Sequence, residues 1–145
     1  MDVKSAFIHG EIHEEIYMNH IEGFIDDHSL FFRLNNSLYG LKQAPMAWYA
    51  KMGNFLLSLG FEQCKSDPNI YFQNFGDLFQ VIVIYVDDYL ITGICIDDLG
   101  SINSSLHSEF SMTDLGLLKQ FLGLEIEQSD AGIKEDNKSI FQTYY

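Results

Sequence analysis

Residues 81–93 read VIVIYVDDYLITG, a run of β-branched and aromatic side chains interrupted by two adjacent carboxylates, Asp87 and Asp88. Such side chains favour extended backbone. The acids divide the run into strand-like halves, Val81 to Val86 and Tyr89 to Thr92, and two residues are the length of a tight hairpin connection. The spacing therefore predicts a hairpin with both acids at its turn. Asp is common in turns for its own hydrogen-bonding reasons, so a solvated turn accounts for the dipeptide taken alone. Desolvating uncompensated carboxylates inside so apolar a segment would cost on the order of several kcal/mol, which points instead to a purpose for the pair.

Working outward, Ile70 to Gln73 and Leu78 to Val86 read as a preceding hairpin around Asn74-Phe75-Gly76-Asp77. Upstream, Pro45 suits a first helical turn. Trp48, Met52, Phe55, Leu56 and Leu59 then recur at helical spacing until Gly60, which predicts an amphipathic helix from Ala44. Downstream, Asp97 can cap a second helix with Leu99, Ile102, Leu106 and Phe110 as its apolar stripe. Phe121 to Glu127 alternates like a strand. At the start, MDVKSAF reads as a short strand with Asp2 and Lys4 on one face and Val3 and Ser5 on the other. Residues 8–37 are acidic and irregular apart from a short strand at Leu30 to Leu34. The order β, α, β, β, α, β with extra hairpins predicts an α+β fold of split βαβ (ferredoxin-like) type, an antiparallel sheet with helices on one face. In that order the first strand neighbours the acidic hairpin, bringing Asp2 beside Asp87. Three converging carboxylates suit hard divalent cations.

A chain of 145 residues that is 47% hydrophobic is one domain's length with ample core-forming side chains. Cys64 and Cys95 lie far apart without a CxxC spacing, and no stretch has the pattern of a secretory leader; a reduced intracellular setting, cytoplasm or nucleus, is expected. No apolar run reaches the length of a membrane-spanning helix. Eight Lys and Arg against 21 Asp and Glu give a net charge of −13, the wrong sign for a freestanding nucleic-acid binder. His9 and His13 sit in HGEIH, which lacks the HExxH order of a zinc helix, and with His20 and His28 they read as surface residues.

MDVKSAF (1–7), EEIYM (14–18), SLYGLKQAP (37–45), AWY (47–49), LGF (59–61), SDPNIY (66–71), YVDD (85–88) and DLG followed by FLGLEI (114–126) together resemble, in the same order and over nearly the whole chain, the reverse transcriptases of copia-type long-terminal-repeat retrotransposons. The resemblance implies a polymerase palm and RNA-directed DNA polymerase chemistry with two Mg²⁺ or Mn²⁺ ions. It matches Asp2 to the family's first metal-binding aspartate and Asp87 and Asp88 to its YxDD pair; Asp2 and Asp87 would hold the ions, with Asp88 close by. Val3, Ser5, Ala6 and Phe7, with Tyr39 and Gly40, would face a deoxynucleoside triphosphate, Phe7 as the gate that a ribose 2′-hydroxyl strikes. Lys42, Gln43, Tyr85, Leu122 and Gly123 would meet the RNA/DNA template-primer. Ordinary structural roles account for several of these as well: a core Phe7, a loop feeding Pro45, and plain strand residues at Tyr85 and in FLGLEI.

Departures from the family pattern remove positive charge or rigidity. Asn35, Asn36 and Met46 stand where basic residues are usual, and NHIEGF (19–24) replaces a Pro-containing segment. Because the match starts within one residue of the first aspartate, residues 1–145 are expected to form a partial domain, the palm, with fingers, thumb and ribonuclease H portions absent. The alternative to an enzyme is a catalytically inert, transposon-derived palm.

Overall fold

A computed structural model describes residues 1–19, 23, 30–76, 78–94, 96–129 and 132–136. In chain order the elements are β1 (Asp2–Val3), a 3₁₀ helix (Ala6–His9), β2 (Tyr17–Asn19), β3 (Phe31–Arg33), α1 (Ala44–Ser58), β4 (Glu62–Gln63) and β5 (Ile70–Phe75). They continue with β6 (Leu78–Tyr85), β7 (Asp88–Gly93), α2 (Ile96–Glu109), β8 (Met112–Thr113), β9 (Gln120–Phe121), β10 (Leu124–Ser129) and β11 (Gly132–Asp136). The architecture is α+β. One six-stranded sheet has the order β4-β5-β6-β7-β1-β8, a three-stranded sheet the order β11-β10-β9, and β2 and β3 form a pair. Every described ladder is antiparallel.

The long helix forms for the reasons its sequence suggests. Pro45 lies in its first turn, where a missing N–H costs nothing. At its other end the Gly60 N–H donates to the Leu57 carbonyl at 3.0 Å and the Phe61 N–H to the Leu56 carbonyl at 3.1 Å. Gly60 has φ +88°, so these two bonds close a Schellman motif. The buried face of α1, with Trp48, Met52 and Leu56, meets Ile102 and Leu106 of α2, Phe110 just after it, and the alternate strand residues Val3, Tyr71, Ile82, Ile84 and Tyr89 in one core. Period-2 alternation thus leaves the partners of these strand residues on the sheet's other face.

Several expectations shift by a residue or an element. The acidic turn is Val86–Asp87, not Asp87–Asp88: Tyr85 pairs with Asp88, which already belongs to β7. Strand β1 ends at Val3, because Ser5 turns left-handed (φ +55°) into the 3₁₀ helix, so the alternation does not reach Ser5. Helix α2 begins at Ile96, ahead of Asp97, which therefore lies in the first turn instead of capping it. The stretch 121–127 is two strands, since Leu122 and Gly123 both have positive φ (+51° and +84°), the requirement of a tight type I′ connection; Phe121 pairs with Leu124 across it. His20, His28 and Cys95 lie outside the described residues.

Gly10 explains how the 3₁₀ turn can lie flat on α1. Its φ is unremarkable, but a Cβ there would come within 2.9 Å of the Ala47 Cβ, the Ser37 Oγ and the Trp48 backbone nitrogen. Ser37, fully buried, donates its hydroxyl to the Phe7 carbonyl and its N–H to the Gly10 carbonyl at 2.8 Å. The SLYG segment is thereby pinned to the turn that follows Asp2.

Candidate active site

The register of β1 on β7 assembles the acids. Met1 and Tyr89 exchange both backbone hydrogen bonds at 2.8 Å, and the Val3 N–H donates to the Asp87 carbonyl at 2.9 Å. Asp2 faces Asp88 between these bonds. It is therefore a non-hydrogen-bonded pair, the kind whose facing side chains approach most closely, with Cα atoms typically about 4.5 Å apart. Their neighbours Val3 and Tyr89 are buried in the core, so alternation sends Asp2 and Asp88 together to the opposite face. The cross-strand partner of Asp2 is thus Asp88 and not Asp87 as anticipated, a consequence of the turn's one-residue shift. Asp87 adjoins both through the turn.

Like charges directly opposite each other destabilise an antiparallel pair. Asp88 carries the signature of that crowding: burial, then the negative charges of Asp87 and Asp2, push its carboxyl above the usual carboxylate range. Among the described residues no group of three or more His, Cys, Asp or Glu side chains is arranged as a ready cation site. The backbone gathers three carboxylates without fixing a cage.

Helix α1 holds the turn that carries Asp87. Val86 has φ +57°, the left-handed region that a β-branched residue occupies at a cost of about 1–3 kcal/mol. Both of its backbone polar groups are met from the helix. The Trp48 indole N–H donates to the Val86 carbonyl at 2.8 Å, and the Val86 N–H donates to the Tyr49 hydroxyl at a longer 3.5 Å. Trp48 was legible in the sequence only as one member of an apolar stripe. The AWY motif marked the position without its role.

The remaining candidates divide into three groups. Tyr85 is exposed and faces Asp88 across the hairpin. Leu122 and Gly123 line a cleft of about 520 Å³ that also contains Asp88, Lys119 and Phe121; Lys119 is a cation that the sequence reading passed over, although it stands alone between DLG and FLGLEI. Phe7 and Tyr39 form a second group, their rings 4.5 Å apart, with Ser5 exposed beside them in the chain and Gly40 at φ +94°. A Cβ on Gly40 would meet nothing within 4 Å, so within this chain its backbone conformation, not crowding, calls for glycine. Val3 and Ala6 are buried, which leaves only their backbones for any ligand. The third group lies elsewhere: Gln43 lines a separate cavity of about 490 Å³ with Met46, Phe55 and Glu109, and Lys42 is exposed on the loop before α1. His9 is no plain surface residue, because its ring packs 5.7 Å from Trp48 and 5.6 Å from Phe110; His13 is exposed.

The family model for reverse transcriptase (RNA-dependent DNA polymerase) matches residues 1–142. The chain belongs to the reverse transcriptase family. It is 43% identical over 129 residues to the retrovirus-related Pol polyprotein from transposon TNT 1-94 of Nicotiana tabacum, covering 87% of this chain and 10% of that polyprotein. With the Pol polyprotein from transposon RE1 of Arabidopsis thaliana it shares 37% identity over 135 residues, 92% of this chain and 9% of the relative. The transposon Ty1-NL2 Gag-Pol polyprotein of Saccharomyces cerevisiae is 29% identical over 142 residues, 88% and 7% respectively. The chain therefore spans about a tenth of the length of these relatives and corresponds to a reverse transcriptase portion of copia-type Pol polyproteins. No solved structure matches it. No described helix is long and apolar enough to cross a membrane.

Proposed function

We propose that these residues form the palm of an RNA-directed DNA polymerase, built on a split βαβ core, in which Asp2, Asp87 and Asp88 serve nucleotidyl transfer from a deoxynucleoside triphosphate onto a primer paired with an RNA or DNA template. The observation that carries this reading is the pairing of Asp2 with Asp88 beside the Asp87 turn, on the core-free face of the central strands. The strand order β6-β7-β1-β8, with α1 and α2 in the two long connections, supports the split βαβ reading.

The donor set fits hard divalent cations. Carboxylate oxygens are their preferred ligands, and the repulsion from Asp87 and Asp2, which adds to burial in raising the Asp88 carboxyl, is relieved by positive charge. Two bound Mg²⁺ or Mn²⁺ ions would supply activation of the attacking primer hydroxyl and neutralisation of the leaving pyrophosphate. The chain's own residues supply position. Phe7, braced by Tyr39, presents an aromatic edge against a sugar 2′ substituent, and the cleft joining Asp88 to Leu122, Gly123 and Lys119 offers a primer backbone one cation and a hairpin surface.

With a net charge of −13, the chain by itself repels template at physiological salt, and preorganisation of nucleotide and primer supplies much of such an enzyme's rate. The 145-residue chain alone is therefore expected not to extend a primer. Joined to basic fingers and a thumb from a related Pol polyprotein, it should extend one on an RNA template with Mg²⁺, and Asp87→Asn should abolish the product. A folded chimera without activity would favour the inert-palm alternative; synthesis indifferent to Asp87→Asn would defeat the reading outright.

A further inference from the structure

We infer that Trp48 and Tyr49 are positioning residues for the carboxylate site: by gripping both backbone groups of Val86 they hold the left-handed turn that aims Asp87, and so set the site's affinity for divalent cations. The inference rests on the metal-centred reading above and adds to it residues that touch no ligand.

The geometry is specific to one peptide unit on each side of Val86. The carbonyl of this residue takes the sole proton of the Trp48 indole at 2.8 Å, and its N–H points to the Tyr49 hydroxyl at 3.5 Å. Trp48 is completely buried and is itself wedged edge-on against Phe110, 5.3 Å between ring centroids at 85°, with His9 at 5.7 Å. Its indole cannot swing away without opening the core. The grip is therefore rigid, whereas Val86 by its own preference would leave the left-handed region. Released, it returns towards extended backbone. The next residue is Asp87, whose carbonyl accepts from Val3 at 2.9 Å, so a relaxed turn disturbs both the direction of the Asp87 carboxylate and the neighbouring Asp2–Asp88 pair. A core tryptophan chosen only for volume has no need of its N–H; a tryptophan that fixes the turn does.

The test removes the N–H and keeps the shape. Trp48→3-benzothienylalanine replaces the indole N–H by sulfur in a bicycle of similar volume, and Tyr49→Phe removes only the hydroxyl. Mn²⁺ binding to the purified chain is measured by calorimetry for wild type, both variants and Asp87→Asn, with thermal melting as the check on folding. The isostere is expected to weaken Mn²⁺ binding about five- to ten-fold, the scale of one hydrogen bond, and Tyr49→Phe by about two-fold in keeping with its longer contact. Nitrogen-15 spectra taken without metal should show the Val86 and Asp87 amides displaced in the isostere. Wild-type Mn²⁺ affinity in a folded isostere, alongside a weakened Asp87→Asn, overturns the inference; so do unmoved Val86 and Asp87 amides. Binding that Asp87→Asn leaves intact defeats the metal-centred reading instead, and the amide shifts still decide whether the grip exists.

Discussion

The six-stranded sheet and the β9–β11 sheet differ both in what they are made of, LFQVIVIY in β6 against LEIEQS in β10, and in what covers them. In the first, Ile82, Ile84, Val3 and Tyr89 alternate into a core closed by α1 and α2. In the second, β10 alternates half-buried with exposed positions only from Leu124 to Glu127 and is exposed beyond, Leu122 at its hairpin tip is about half exposed, and none of the described core residues lies beyond Met112. The apolar strands take a helical layer and with it hydrophobic stabilisation and a fixed register, while the polar three-stranded sheet keeps its ladders and little else. Asp2 and Asp88 sit on the open face of the backed sheet, with Asp87 beside them in the turn, where register is most firmly specified. Of the residues proposed to meet template and primer, Leu122 and Gly123 sit at the hairpin of the unbacked one, while Tyr85 ends β6 of the backed one.

Substitutions should expose this contrast. Ile82→Ala, at a fully buried position in the middle of β6, is expected to cost about 2–4 kcal/mol, read by urea denaturation; Leu122→Ala should stay within about 0.5 kcal/mol. Equal effects would erase the distinction between the sheets. Gly10→Ala comes next, at about 1–3 kcal/mol, because the new Cβ meets backbone and a packed methyl that cannot give way easily.

Asp88→Asn sharpens the contrast with a change of sign. The Asp88 carboxyl is raised in the fold by burial and by Asp87 and Asp2, so its ionised form opposes folding. That opposition is present in full above the raised value and fades as pH falls through it and the carboxyl protonates. The site is partly solvated and screened, so at neutral pH the Asn variant should melt only about 1 °C higher than wild type, and the two should converge in mild acid. A variant that melts lower at neutral pH would show that the acids are not crowded.

The sequence displays the backed half of the molecule well, because its signals are periodic. The stripe from Trp48 to Leu56 and the left-handed Gly60 delimit α1, and alternation in VIVIY marks β6. What escaped is where residues adopt conformations against their own preference. Val86, Leu122 and Ser5 are all left-handed without being glycine, and each displaced an expected boundary: the acidic turn moved by one residue, one strand became two, and β1 stopped at Val3. No propensity announces such residues, since packing and hydrogen bonds elsewhere impose them. The approach of Tyr39 to Phe7 was equally unreadable, resting on the Ser37 hydroxyl and on the space that Gly10 leaves. The motif order singles out the three acids, but which of them face each other, Asp2 with Asp88, required the register.

The central claim is that this register gathers Asp2, Asp87 and Asp88 into a place for divalent cations. Titration of the nitrogen-15-labelled chain with substoichiometric Mn²⁺ tests it directly, because paramagnetic broadening reports where the ion dwells. The amides of Asp2, Asp87, Asp88 and their immediate neighbours should broaden first, and Asp87→Asn should require more Mn²⁺ for the same effect. Broadening spread over the chain's 21 acidic side chains, with no preference for the turn and no response to Asp87→Asn, would contradict it.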